Sequence, residues 1–196
     1  MVGDQSGRGN ARLAQVDPVD DPLKSYLALV EKVDAFFERV ARRYAQKIKC
    51  GPGCSDCCRR IISLYPFEID RMMAAAAGLE PAELRGVVRR AQEAQQDPQA
   101  ACPLLSNDRC LIYEARPIIC RTHGLPMLVP GEDSLCMCVY NLKGLEHIDG
   151  DCVLDLRPVN EILATVNHLL TTGRGKSPER VGVADAIIQS FGGGGE

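Results

Sequence analysis

Apolar positions along the first third of the chain recur in steps of three and four. From Asp21-Pro22 onward they fall at Leu23, Tyr26, Leu27, Val30, Val33, Phe37, Val40 and Tyr44, one stripe along a helix. Asp21 is a natural N-cap and Pro22 suits the first helical position. The pattern predicts a helix running to about Lys49, where Gly51-Pro52-Gly53 forbids continuation. A second helix is expected from Pro66 to Gly78, carrying Phe67, Ile69, Met72 and Met73. A third begins near Pro81, with Leu84, Val87, Val88 and Ala91 on one face, and fades before Asp97-Pro98. These two are expected to pack as a helical hairpin. Residues 99–157 show no sustained period and hold several Pro and Gly, which reads as loops and short helical turns. Arg157-Pro158 opens another helix with Val159, Ile162, Leu163, Val166, Leu169 and Leu170 on its apolar face, ended by Gly173-Arg174-Gly175. Val181 to Phe191 suits a short terminal helix. Few segments alternate as strands do.

The expected fold is mainly α: a single small domain of packed helices around an irregular, loop-rich centre. Residues 1–20 are polar and read as a flexible tail. Residues 21–172 form the domain. Residues 173–196 form a C-terminal segment ending in a flexible Gly-rich tail. At 196 residues and 45% hydrophobic, the chain can build a core without cross-links. A net charge of -3 and 5% aromatics, with no Trp, give no strong signal for nucleic-acid binding. The first residues carry no apolar signal segment and no run is long enough to span a bilayer, so a cytoplasmic protein is expected.

Ten cysteines change the picture. In a reducing compartment, clustered Cys read as metal ligands before disulfides. The first group is Cys50-x3-Cys54-x2-Cys57-Cys58, four thiols on a Gly-containing loop, followed by Arg59 and Arg60, whose charge favours thiolates. Side chains of the adjacent pair Cys57-Cys58 diverge, which makes it awkward for both to enter one tetrahedral shell. Two sites or one multinuclear site follow. The second group is Cys102, Cys110 and Cys120, within Cys102-Pro103-Leu104-Leu105, Cys110-Leu111-Ile112-Tyr113-Glu114-Ala115-Arg116-Pro117 and Cys120-Arg121. The fold must bring the two groups together.

The CxxxCxxCC group followed by CPLL, CLIYEARP and CR resembles the YkgJ-type cysteine-cluster family, described as zinc- or iron-chelating proteins. The resemblance covers about Cys50 to Tyr140 and implies eight ligand cysteines. Seven map to Cys50, Cys54, Cys57, Cys58, Cys102, Cys110 and Cys120. The eighth is Cys138, with Cys136 as the competing choice, and Cys152 is surplus, a candidate redox thiol. Eight thiolates suffice for two four-sulfur sites, which suit iron, an iron–sulfur cluster or zinc, with copper(I) a lesser choice. The metal ion is the expected partner. The expected function is metal chelation, the alternative an iron- or cluster-dependent enzyme or redox sensor.

His123, three residues after Cys120, is placed to be a ligand, a donor to a ligand, or a surface residue. His147 and His168 read as surface residues. Glu114, Arg116 and Arg121 read chiefly as ion pairs bracing the loop, with hydrogen bonds from Arg116 and Arg121 to cluster sulfurs or to an anionic partner as the alternative. Gly175-Lys176-Ser177 imitates the end of a phosphate loop, but Leu170 stands where that motif needs Gly. Arg42-Arg43 and Arg89-Arg90 read as solvated helix faces. No catalytic triad, dinucleotide fingerprint or HExxH motif is present.

Overall fold

The structure, a computed structural model, describes residues 21–51, 53–60, 62–97, 99–172, 175 and 177–193. The expected N-terminal tail, Pro52, Gly173, Arg174, Lys176 and the last three residues lie outside the described residues. Six α-helices appear among them: α1 (Pro22–Arg43), α2 (Pro66–Ala76), α3 (Pro81–Gln96), α4 (Ile118–Thr122), α5 (Leu156–Thr171) and α6 (Val183–Phe191). Three single-turn 3-10 helices (Asp56–Cys58, Tyr113–Ala115 and Gly150–Cys152) and seven two-residue strands complete the regular structure: β1 (Ser63–Leu64), β2 (Leu105–Ser106), β3 (Arg109–Cys110), β4 (Met127–Leu128), β5 (Leu135–Cys136), β6 (Leu154–Asp155) and β7 (Val181–Gly182). The molecule is mainly α with small sheets, as the pattern predicts. No helix among the described residues is long and apolar enough to cross a membrane.

Helix α1 starts as expected: the Asp21 side chain accepts from the Leu23 amide at 2.9 Å, satisfying one of the free N-terminal amides. It ends at Arg43, short of the expected Lys49. The physical reason is distant in sequence. The Tyr44 hydroxyl donates to Asp149 at 3.0 Å, and the Lys47 carbonyl accepts from the Leu142 amide at 2.8 Å, so residues 44–49 peel away to meet the later loop. The buried stripe is Tyr26, Leu29, Val33, Phe36 and Val40. Leu23 and Leu27, expected inside, are exposed. Adjacent apolar residues at each turn hid which member of each pair faces inward.

Three apolar clusters hold the elements. Leu64, Met72, Val87, Leu104, Ile112 and Ile187 join α2, α3 and α6. Tyr26, Val33, Phe67, Ile118 and Leu163 join α1, α2, α4 and α5. Phe36, Val40, Leu125, Met127 and Cys152 close one end. Helix α3 packs chiefly on α6, which also touches α2, so α6 joins the expected pair of helices in one cluster. Ile162 and Leu169, expected on the inner face of α5, are exposed, and Asn167 and Thr171 are buried instead.

Glu68 is a carboxylate inside this core, 2% exposed. It accepts from the Tyr26 hydroxyl at 3.3 Å and from the Ile118 amide at 3.0 Å, which fixes the start of α4 against α1 and α2. Burial pushes its pKa up from the usual carboxylate value. The folded chain therefore binds this proton more tightly than the unfolded chain. The stabilisation is complete at pH below the unfolded value and is lost as pH rises through the raised folded value. Glu68→Gln keeps the acceptor and removes the ionisation. It is expected to be at least as stable as the parent at pH 8, with a flatter pH dependence, in denaturant unfolding at pH 4 and pH 8. Glu68→Leu, which strands both donors, is expected to lose about 2 kcal/mol.

Candidate metal centre

The ten cysteines are all free thiols. Six of them, Cys54, Cys57, Cys58, Cys102, Cys110 and Cys120, line one cavity. In the first loop, the Cys54 amide donates to the Gly51 carbonyl at 3.0 Å and the Cys58 amide to the Ser55 carbonyl at 2.9 Å. Gly53 adopts φ +85°, a conformation that Gly takes without steric cost. The Cys102 amide donates to the Cys58 carbonyl at 2.6 Å, tying the first group to the second across the sequence. Strands β2 and β3 form a hairpin whose two loop residues, Asn107 (φ 49°) and Asp108 (φ 57°), are both left-handed, as a tight twisted turn requires. That turn places Cys110 and lets Asp108 accept from the Ser55 hydroxyl at 2.6 Å. Helix α4 supplies Cys120.

Two thiol groups result. Cys58, Cys102, Cys110 and Cys120 lie within electrostatic reach of one another. Together with Cys54 and Cys57 they line a cavity of about 490 Å³, whose remaining wall includes Ile62, Met72, Leu104, Ile119 and Arg116. Cys50, Cys54 and Cys138 form a second neighbourhood. There the Asn141 side chain donates to Cys50 Sγ at 3.1 Å and to the Gly124 carbonyl at 2.7 Å, while accepting from the Lys49 amide at 2.8 Å. Cys57 is exposed and its thiol is hydrogen-bonded to Cys58.

Cys136 is exposed on β5, opposite Met127. Cys138, its competitor, stands beside Cys50. Cys152 is 1% exposed, packed among Phe36, Val40, Leu125 and Met127; this is a core position rather than an accessible thiol.

Most of the cavity thiols and Cys50 resist ionisation. Burial, followed by the repulsion of neighbouring thiolates, raises Cys120, and burial pushes Cys102 up to about 11. Burial also raises Cys50 and Cys110. Cys57 is raised chiefly because it donates to Cys58, and the same bond lowers Cys58. A dication held by these thiolates would reverse this balance, and its loading would release protons and strengthen as pH rises.

The helping positive charge comes from Arg116 and Arg90 rather than from Arg59. Arg59 faces Asp56 and Asp108, each at 3.9 Å. Arg116 instead acts on Cys57, Cys110 and Cys120, and Arg90 on Cys102. Arg90, expected on a solvated face, donates to the Pro103 carbonyl at 2.8 Å, whereas Arg89 pairs with Glu93 in solvent. Arg121 is a brace, as expected. It is 8% exposed, pairs with Asp34, and donates to the carbonyls of Glu114 and Arg116.

Asn141 and Gly124 escape sequence reasoning. Gly124 has φ +92°, and a Cβ there would stand 2.5 Å from Cys50 Sγ and 2.9 Å from Asn141 Nδ2. The site leaves no room for a side chain beside Cys50. Gly124→Ala is expected to cost about 2–3 kcal/mol from the left-handed backbone plus overpacking, and to displace Cys50. Calorimetry and metal analysis of the purified variant check both.

The donors suit a soft or borderline metal: thiolates on short loops, oriented by an amide and faced by guanidinium groups. Among the described residues, however, no three Cys, His, Asp or Glu side chains close on one point. The thiols ring a space instead. No curated protein and no solved structure matches the chain. Residues 49–137 match the CxxCxxCC family model, described as a "Putative zinc- or iron-chelating domain". The match includes every thiol of the cavity and ends one residue before Cys138.

Proposed function

We propose that the chain is a metal-chelating protein with two thiolate centres. Cys58, Cys102, Cys110 and Cys120 hold one, Cys50, Cys54 and Cys138 the other, and Cys57 lies between them. The observation that carries this reading is the convergence of thiols from separate chain segments on one cavity of about 490 Å³. Iron is favoured at the cavity, as an iron–sulfur cluster. A single zinc ion with Zn–S near 2.3 Å would need its four sulfurs within about 3.8 Å of one another. Thiols that ring a space without closing on a point suit a larger inorganic core. Zinc is the alternative. Ten free thiols agree with a reducing compartment such as the cytosol.

A second reading rests on the walls of the cavity. Its size is that of a small-molecule site, and apolar side chains with Arg116 at one edge would suit a compact anionic ligand. In that case the centre would serve an enzyme or a redox sensor. Protein purified without oxygen tests the main reading through metal content, acid-labile sulfide and the visible spectrum. Iron with sulfide and a reversible chromophore supports a cluster. Zinc without visible absorption moves the assignment to a structural chelate. Purified protein that retains and takes up neither metal overturns the proposal.

A further inference from the structure

The cavity exceeds what one metal ion fills. A zinc ion with four sulfurs about 2.3 Å away occupies a small fraction of it, whereas its volume of about 490 Å³ lies in the range of small-molecule sites. The thiols supply only part of the wall. Met72, Leu104 and Ile112 line the cavity and are themselves buried, so an apolar floor is built into the core cluster that joins α2, α3 and α6. Ile119 extends that floor from α4. Leu104, Ile112 and Ile119 offer no donor to a metal and suit the body of an apolar ligand.

The charge on the same wall is one-sided. Arg60, Arg109 and Arg116 line the cavity, and among the described residues none of the three joins an ion pair. Asp108, the carboxylate on that wall, is already engaged: it accepts from the Ser55 hydroxyl at 2.6 Å and faces Arg59 at 3.9 Å. His123 is held by its Nδ1, 2.8 Å from the Ile119 carbonyl. Arg116 is half-buried and fixed in place. Its Nε donates to the Tyr113 carbonyl at 2.8 Å, and its guanidinium carbon stands 3.4 Å from the centre of the Tyr113 ring. Its two terminal nitrogens have no acceptor among the described residues. A planar fork held this way, with donors to spare, matches a carboxylate or a phosphate.

We propose that the cavity binds a small amphipathic organic anion, its apolar body against Met72, Leu104, Ile112 and Ile119 and its carboxylate or phosphate head on Arg116, beside the thiols rather than in place of them. This rests on the small-molecule reading of the cavity above.

The test uses the full-length reduced chain labelled with ¹³C at the methionine methyls, metal-free and loaded with diamagnetic Zn²⁺. The sequence has five methionines, of which Met72 lies on the cavity wall; Met72→Leu assigns its signal. Octanoate, octyl phosphate, octanol and inorganic phosphate are titrated in turn. Octanoate or octyl phosphate is expected to shift the Met72 methyl saturably in both states, and the tighter of the two identifies the head. Octanol lacks the charged head and inorganic phosphate the apolar body, and each is expected to bind about tenfold more weakly or worse. Arg116→Gln should weaken the anion by about tenfold and leave octanol as it was. Ile119→Trp, which fills the floor, should remove the Met72 shift. Should Arg116→Gln not fold, the ratio of octanoate to octanol affinity in the parent chain decides the same point. Equal affinity for octanol and both anions overturns the proposal, because the guanidinium groups would then serve the thiolates alone. No Met72 shift with any probe, or a shift that zinc abolishes, overturns it too and leaves chelation standing. Zinc content of the same samples reports on chelation separately: an anion bound at Met72 by a chain that takes up no metal supports this site and counts against chelation.

Discussion

Removing the metal from reduced protein will lower the thermal midpoint by about 10–20 °C, without abolishing the helices. A structural thiolate site of a small finger-like domain contributes about 10–16 kcal/mol of apparent binding energy to folding. Here the effect is smaller because three apolar clusters exist apart from the thiols. A loss of about 5 kcal/mol in a chain of this size corresponds to that shift in midpoint. The cost falls where thiol repulsion replaces ligation: residues 50–58, the 105–110 hairpin and the 138–142 turn. Those segments connect through the Cys102–Cys58 and Leu142–Lys47 backbone bonds, the Ser55–Asp108 bond and the Asn141 clamp. Scanning calorimetry of the loaded and chelator-treated protein checks the midpoint. Hydrogen exchange should show lost protection in those segments and retained protection at Val33, Val87 and Leu163. An unchanged midpoint would mean that the thiols take no part in holding the fold.

Arg121→Ala is expected to destabilise the loaded protein by about 3 kcal/mol. The side chain is 8% exposed and holds three acceptors on two segments: Asp34 on α1, and the carbonyls of Glu114 and Arg116 before α4. Asp34 is half-exposed, so water can take over its charge. The expense lies in the two carbonyls, each costing about 1–3 kcal/mol when left without a donor. Arg121→Lys should recover less than half, because a point ammonium cannot span three acceptors as the planar fork does. Urea unfolding of both variants measures this. Because Cys120 precedes Arg121, metal affinity should fall as well, while the stoichiometry stays at the parent value.

Prolines and caps made much of the helical frame legible. Asp21-Pro22, Pro66 and Pro81 each mark a true start, because their effect is local. The end of α1 was hidden, since it depends on Tyr44 meeting Asp149 across the fold. Choosing between Leu29 and Val30, or Phe36 and Phe37, needed a partner helix that periodicity alone does not specify. The thiols themselves were readable from spacing, and Cys102, Cys110 and Cys120 do meet the first group. The division of labour around them was not. Arg59 is next to Cys58 in sequence yet spends its charge on Asp56 and Asp108, while Arg116 and Arg90 arrive from afar. Gly124 and Asn141 bear on Cys50 only through tertiary contact, and no local motif announces them. Cys152 had the look of a surplus reactive thiol and is a core residue instead.

The central claim is that two separate thiol groups each hold metal. Its most direct test is the metal stoichiometry of the parent chain, Cys50→Ser and Cys120→Ser, loaded identically under reducing, oxygen-free conditions. Two distinct centres predict that each variant loses one centre's complement and keeps the other's, and that the double variant loses both. Stoichiometry unchanged in both single variants would contradict the account.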